Sequence, residues 1–290
     1  MKFRLCLFLL LTPLFYYFGG KFCSHQTDGF TLLKIQSTLR YDPRFETGPP
    51  PERLASLLDQ PFTYLNSGGQ CYAFLSQDKT VVLKLFKHHL RRVPWLFDHL
   101  PLPQSYAALR QKQREKRASK LVRDFTSYTL CFHSLQEESG LLYTHLNKTK
   151  ELGLHATLID KLGIAHSLDL DNFEFVLQKK ADLALGHLQR LIEREEFEEA
   201  KKRIDSIFTL ILSRCEKGIY DEDPRLHCNL GFLEDKAMLI DVGRLRLDES
   251  RRQKEIYKRD VEKMVVPLLK WLEKQSPQLA KYLEWRVKQL

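Results

Sequence analysis

An α+β fold is predicted by three observations. Residues 62–86 (FTYLNSGGQCYAFLSQDKTVVLKLF) alternate apolar runs with turn signals at Ser67-Gly68-Gly69-Gln70 and Gln77-Asp78-Lys79, the pattern of consecutive β-hairpins. Residues 196–217 carry Phe197, Ala200, Ile204, Ile207, Phe208, Ile211, Leu212 and Cys215 at helical spacing and stop at Gly218, which predicts one amphipathic helix. Leu230–Leu233 and Ala237–Ile240 flank Asp235-Lys236 as a further hairpin. A chain of 290 residues, 43% hydrophobic, can bury the core of one large domain or of two lobes. The same composition excludes a disordered acidic chain, a collagen-like repeat and a multi-span membrane protein.

The ends and breaks come next. Lys2 and Arg4 precede an apolar run from Leu5 to Phe18. That run is short for a membrane span, which needs about 20 residues, so residues 1–20 are expected to be a signal peptide or membrane anchor, placing the protein at a membrane or outside it. Pro43, Gly48 and Pro49 to Pro51 break regular structure, so 21–55 reads as a linker or N-terminal extension, with the folded body starting near Glu52. Six scattered cysteines without C-x-x-C spacing read as isolated thiols.

The formal charge of +9 is local. From Lys84 to Arg123 eleven cations face Asp98 and Glu115, an excess equal to that of the whole chain. A basic insert over 87–123 is therefore expected, with Arg110–Arg123 helix-prone. Such a segment suits an anionic membrane surface. Its lack of interleaved aromatics argues against nucleic acid.

Two clusters carry chemistry. A glycine turn followed by a strand with one embedded lysine, Lys84 among Val81, Val82, Leu83, Leu85 and Phe86, can cover phosphates with backbone N–H groups and neutralise them with an ammonium. Downstream, Asp221, Asp223, Asn229 and Asp241 lie in a turn-rich stretch behind the 196–217 helix. Asp241, at a strand end, and Asn229 offer oxygen ligands suited to Mg²⁺.

These motifs resemble the protein-kinase-like superfamily over roughly residues 62–245. Asp223 stands where the H-R-D aspartate would, Asp221 where its histidine would, Asn229 resembles the metal-binding asparagine, and Asp241-Val242-Gly243 resembles D-F-G. Leu65 to Ala73 resembles the glycine-rich loop, and Val81-Val82-Leu83-Lys84 resembles V-A-I-K. The resemblance implies a two-lobed fold: an antiparallel sheet plus helix over 56–180, and a reduced, mainly helical lobe over 181–290. It implies ATP and Mg²⁺ as cofactors, with Asn66, Ser67, Gly68, Gly69 and Ala73 at the nucleotide and Lys84 on its phosphates. Glu138 would orient Lys84 from a helix continuing through Leu141, Leu142 and Leu146, with Glu137 as rival. Asn229 and Asp241 would hold metal, and Asp223, with Asp221 beside it, would serve catalysis. Phe173–Leu177 would form a strand and 178–182 the hinge. The activity implied is phosphoryl transfer to a hydroxyl of a protein or small molecule, the alternative being an inactive nucleotide-binding or tethered module. Asn66 and Cys71 replace two loop glycines, Asp223 and Asn229 are one residue further apart than in the family pattern, and no A-P-E follows Gly243.

Overall fold

Strand β3 (Val81–Phe86) shows how the sequence dictates the architecture. Side chains alternate across a strand. Val81, Leu83 and Leu85 enter one apolar core, whereas Phe86 enters a second, so Lys84 faces the second side. The computed structural model describes residues 2–93, 99 and 103–290, with the backbone alone for 2–11, 14, 104 and 105.

Helix α1 (Lys2–Gln26) leads through α2 (Leu32–Ile35), a 3-10 turn at Pro43–Phe45 and α3 (Leu54–Leu58) to β1 (Pro61–Ser67), β2 (Cys71–Ser76) and β3. A 3-10 turn at His88–Arg91 precedes the long helix α4 (Gln104–Ser134), α5 (Gln136–Ser139), β4 (Leu141–His145), β5 (His155–Ile159), β6 (Ala165–Asp169) and β7 (Phe175–Lys179). These strands form a seven-stranded sheet in the order β4-β7-β3-β2-β1-β5-β6, parallel between β1 and β5 and antiparallel elsewhere. The chain then enters a small second sheet at β8 (Asp182–Leu183) and continues through α6 (Ala184–Glu193), α7 (Phe197–Glu216), β9 (Ile219–Asp221) and α8 (Leu226–Asn229). It finishes with β10 (Leu230–Leu233), β11 (Lys236–Leu239), β12 (Leu245–Leu247), α9 (Lys254–Gln275) and α10 (Pro277–Lys288). Helix α4 joins the two halves: Phe125, Tyr128 and Cys131 belong to the same core as Phe86, Val176, Ile207, Phe208 and Leu268. The fold is thus mixed α+β.

Three expectations need correction. Residues 141–146 are not a helix: Leu141–His145 is strand β4, buried throughout. Gly140, at φ +61°, ends the preceding turn in the left-handed region, and the continuous apolar run then suits an interior strand. The helix against the sheet is α4, and Arg110–Arg123 of the basic segment lies along its mostly exposed first part, whereas Lys87, Arg91 and Arg92 precede it. Finally, the 21–55 extension is no loose linker. Phe30, Ile35, Phe45 and Leu54 are buried, and the Phe45 ring packs edge-on against Phe125 at 5.3 Å. Burial of this kind stabilises by roughly 1.5–3 kcal/mol per large side chain.

The side chains that would define a signal or anchor over 1–20 lie largely outside the described residues. Phe15, Tyr16, Phe18 and Phe22 of α1 are exposed. Among the described residues no helix is long and apolar enough to cross a membrane.

The β2–β3 turn yields a pH prediction. Asp78 Oδ1 accepts from Ser76 Oγ at 2.6 Å, Thr80 N at 3.0 Å and Thr80 Oγ1 at 2.9 Å. The Ser76 bond, followed by the Thr80 backbone bond, holds this carboxyl at about 2 against an ordinary 3.8. The folded value is depressed, so its contribution is present above the unfolded value and disappears as pH falls from about 3.8 towards about 2. Asp78→Asn is expected to flatten the acid dependence of the denaturation midpoint in that window; an unchanged dependence would refute the turn's role.

Candidate active site

The hairpins deliver the glycine turn and the Lys84 strand, and a polar clamp brings the acidic turn to them. Lys84 lies opposite Ala73 on β2 and Val176 on β7. Its Nζ donates to the Ile240 carbonyl at 2.6 Å, directly before Asp241. Burial pushes the Lys84 pKa down, and the Asp241 charge opposes that shift. At the tip of the glycine turn, Gln70 Nε2 donates to the Gly243 carbonyl at 3.2 Å. A Cβ on Gly243 would meet the Gln70 amide, so a larger residue there would have to displace that side chain.

Helix α4 holds the 241–245 turn from behind. Ser127, fully buried, donates to the Val242 carbonyl and accepts from Leu245 N at 2.6 Å. Gln178 spans the two halves, donating to Ser139 O at 2.6 Å and Leu239 O at 2.9 Å. The sequence reading makes Gln178 the first residue of a hinge and gives Ser127 no role. Their signal was a polar residue at a position whose neighbours, Phe125 and Tyr128 or Val176 and Leu177, are all buried.

The acidic residues converge. Asn229 Nδ2 donates to Asp223 O at 2.7 Å, while Ile240 N donates to Asn229 O at 2.8 Å, tying the two loops together. Among the described residues, Asn229 Oδ1 accepts only a weak thiol bond, from Cys228 at 3.1 Å. Asp241 Oδ1 accepts from Gly243 N at 3.1 Å. Among the described residues no group of three His, Cys, Asp or Glu forms a metal cage. Asn229 and Asp241 offer oxygen atoms of the kind Mg²⁺ takes, usually with one or two carboxylates and phosphate oxygens and water completing its shell. Asp223 is partly exposed and accepts from Arg225 Nη2 at 2.7 Å. Asp221 differs: it is buried, its Oδ2 accepts from Arg214 Nη1 at 3.1 Å and its Oδ1 accepts from Asp223 N at 2.8 Å. Burial pushes its carboxyl up against the pull of Arg214. It supports Asp223 from below.

Glu138 is not brought to Lys84. It accepts from Ser213 Oγ at 2.6 Å and pairs with Lys217 at the end of α7. Burial pushes its carboxyl up, but those two bonds outweigh it and hold the pKa below the ordinary value. Glu137 is exposed. The α4 groups nearest this cluster include Ser127, Tyr128 and Cys131, none of them a carboxylate. The acidic residues of α4 are Glu115 and Asp124, and Asp124 is committed to Arg91 and Arg123. Lys84 therefore takes its counter-charge from Asp241. Within the glycine turn, Asn66, Gly68 and Gly69 are exposed, and Ser67 Oγ accepts from Lys87 Nζ at 2.6 Å. Cys71 is buried, and burial pushes its thiol to about 12, so it is an inert packing group.

No protein-family model matches the chain, and no curated protein matches it.

Proposed function

We propose that the protein is a divergent protein-kinase-like phosphotransferase using Mg-ATP and a hydroxyl acceptor. The observation that carries this reading is the juxtaposition of Lys84 with the Asp241-Val242-Gly243 turn beneath the glycine hairpin. The strand order β4-β7-β3-β2-β1, backed by α4, supports a kinase-like N-lobe, with β5–β6 as an added hairpin on the β1 edge. In this reading Lys84 neutralises the nucleotide phosphates, and the backbone N–H groups of Gly69 and Gln70 cover them, those of Ser67 and Gly68 being bonded within the turn. Asn229 and Asp241 would hold Mg²⁺, which when bound neutralises charge on the phosphates. Asp223 orients the acceptor hydroxyl and takes its proton as the acceptor oxygen bonds to the γ-phosphorus and the β–γ bridging bond breaks, releasing ADP. Arg225 holds the Asp223 carboxylate in place.

A second reading, a nucleotide-binding module without transfer, is favoured by the missing helix carboxylate at Lys84 and by the Gln70–Gly243 contact across the cleft. Mg-ATP at about 100-fold over its dissociation constant is expected to stabilise the fold by about 2.7 kcal/mol. Absence of any thermal shift would sink nucleotide binding. A shift without ADP release would select the second reading.

A further inference from the structure

We infer that Gln70 is a gate on the cleft beneath the glycine turn: its side chain closes the path to Lys84 and Asp241 in the nucleotide-free protein and swings out when a guest enters. The identity of that guest, Mg-ATP, rests on the phosphotransferase reading; the gate itself rests on geometry.

The geometry is a side chain laid across a gap. Gln70 belongs to the turn between β1 and β2, and Gly243 to the stretch between β11 and β12. Gln70 Nε2 donates to Gly243 O at 3.2 Å. Its Oε1 is buried and has no hydrogen-bond partner among the described residues. Cδ, Oε1 and Nε2 of the amide all crowd the place that a Gly243 Cβ would take. The amide therefore covers Gly243 directly, two residues beyond Asp241 and three beyond Ile240, whose carbonyl holds Lys84 Nζ. Phosphates held by Lys84 on one side and by the Gly69 and Gln70 N–H groups on the other would enter through the gap this side chain crosses.

The main chain on both sides is held, so the side chain is the moving part. Lys87 N donates to Gln70 O at 2.8 Å, Gly68 N to Cys71 O at 3.0 Å, and Lys87 Nζ to Ser67 Oγ at 2.6 Å. Across the gap, Gly243 N bonds to Asp241 Oδ1, and Ser127 bonds both Val242 O and Leu245 N. One neutral hydrogen bond favours the closed form by no more than about tenfold, and a buried acceptor without a donor works against it. A guest that binds only the open form has its affinity reduced by the open fraction, so the gate sets apparent affinity without touching the guest.

The test uses the full-length chain, with calorimetry for Mg-ATP affinity, amide hydrogen exchange over 241–244 in the absence of nucleotide, and the urea midpoint. Gln70→Ala removes the gate. Gly243→Ala opens it from the other side, because the new Cβ takes the place of the amide. Gly243 is not in the left-handed region, so alanine meets no backbone strain there. Both variants are expected to tighten Mg-ATP binding by about three- to tenfold. Gln70→Ala is also expected to speed exchange over 241–244 at an unchanged urea midpoint, which separates opening of the cleft from loss of stability. Weaker Mg-ATP binding in Gln70→Ala would overturn the gate and make the residue a nucleotide contact. Unchanged exchange over 241–244 in Gln70→Ala overturns it whether or not Mg-ATP binds. Faster exchange with no Mg-ATP binding in any form keeps the gate and removes the nucleotide as its guest.

Discussion

Lys84→Met is expected to lower phosphoryl transfer by about 10²–10³-fold, the typical loss when one preorganised electrostatic group is removed, while the protein stays folded. The second half of that expectation comes from the corrected geometry. Were Lys84 clamped to a buried helix carboxylate, removing it would orphan that carboxylate and destabilise by about 3–5 kcal/mol. Instead its Nζ bonds to the Ile240 carbonyl, and its counter-charge, Asp241, is partly exposed and keeps its bond from Gly243 N. The stability change should therefore be on the order of 1 kcal/mol, one hydrogen bond's worth. Glu138→Gln is the matched control: it loosens the α5–α7 contact at Ser213 and Lys217 and should leave transfer unchanged. Single-turnover rates, the Mg-ATP thermal shift and the urea midpoint together decide the matter. Wild-type turnover or an undiminished Mg-ATP shift in Lys84→Met would remove Lys84 from the phosphate site. Equal losses in Glu138→Gln would instead restore a role for that carboxylate.

The contrast between Lys84 and Glu138 marks how far the sequence could be read. Lys84 was placed by short-range physics: Gly-Gly and Asp-Lys turns punctuate the hairpins, and the period of two puts Lys84 and Phe86 on one face. The 196–217 helix and the 230–240 hairpin were legible for the same reason, each written in local periodicity and turn residues. Glu138 failed because Leu141, Leu142 and Leu146 satisfy helical spacing as well as they satisfy an interior strand. What decided between them was the pairing of β4 with β7, a long-range choice. The same limit hid what Gln70, Ser127 and Gln178 do. Each bonds a backbone carbonyl between Leu239 and Gly243 that lies more than sixty residues away, and no motif encodes a side chain-to-carbonyl bond at that separation. Burial of Phe30, Ile35 and Phe45 was equally silent, since single apolar residues in an irregular stretch carry no period.

Asp221→Ala is expected to destabilise the protein by about 3–5 kcal/mol, a large part of the 5–15 kcal/mol typical of a folded domain. Arg214 is 2% exposed and Asp221 5%, so the variant leaves a buried guanidinium without its carboxylate. Arg214 Nε is already buried without a hydrogen-bond partner, so the variant would add to an existing deficit. The pair also positions the loop above it, because Asp221 Oδ1 receives the backbone N–H of Asp223 while Asn229 Nδ2 holds the Asp223 carbonyl. Stability and function should therefore separate in a second variant. Replacing both partners, Arg214→Met with Asp221→Leu, removes the stranded charge, and apolar replacement of a buried pair is often neutral or stabilising. Its urea midpoint is expected to recover most of the loss at unchanged slope. Transfer should stay low, because the Asp223 N–H still lacks its acceptor and the carboxylate above it is no longer fixed. A single variant losing less than about 1 kcal/mol, the scale of an exposed ion pair, would mean the pair is not the clamp. A double variant that regains both stability and transfer would mean that Asp223 is positioned by Asn229 alone, which would then be the residue linking the 223 loop to the Asp241 turn.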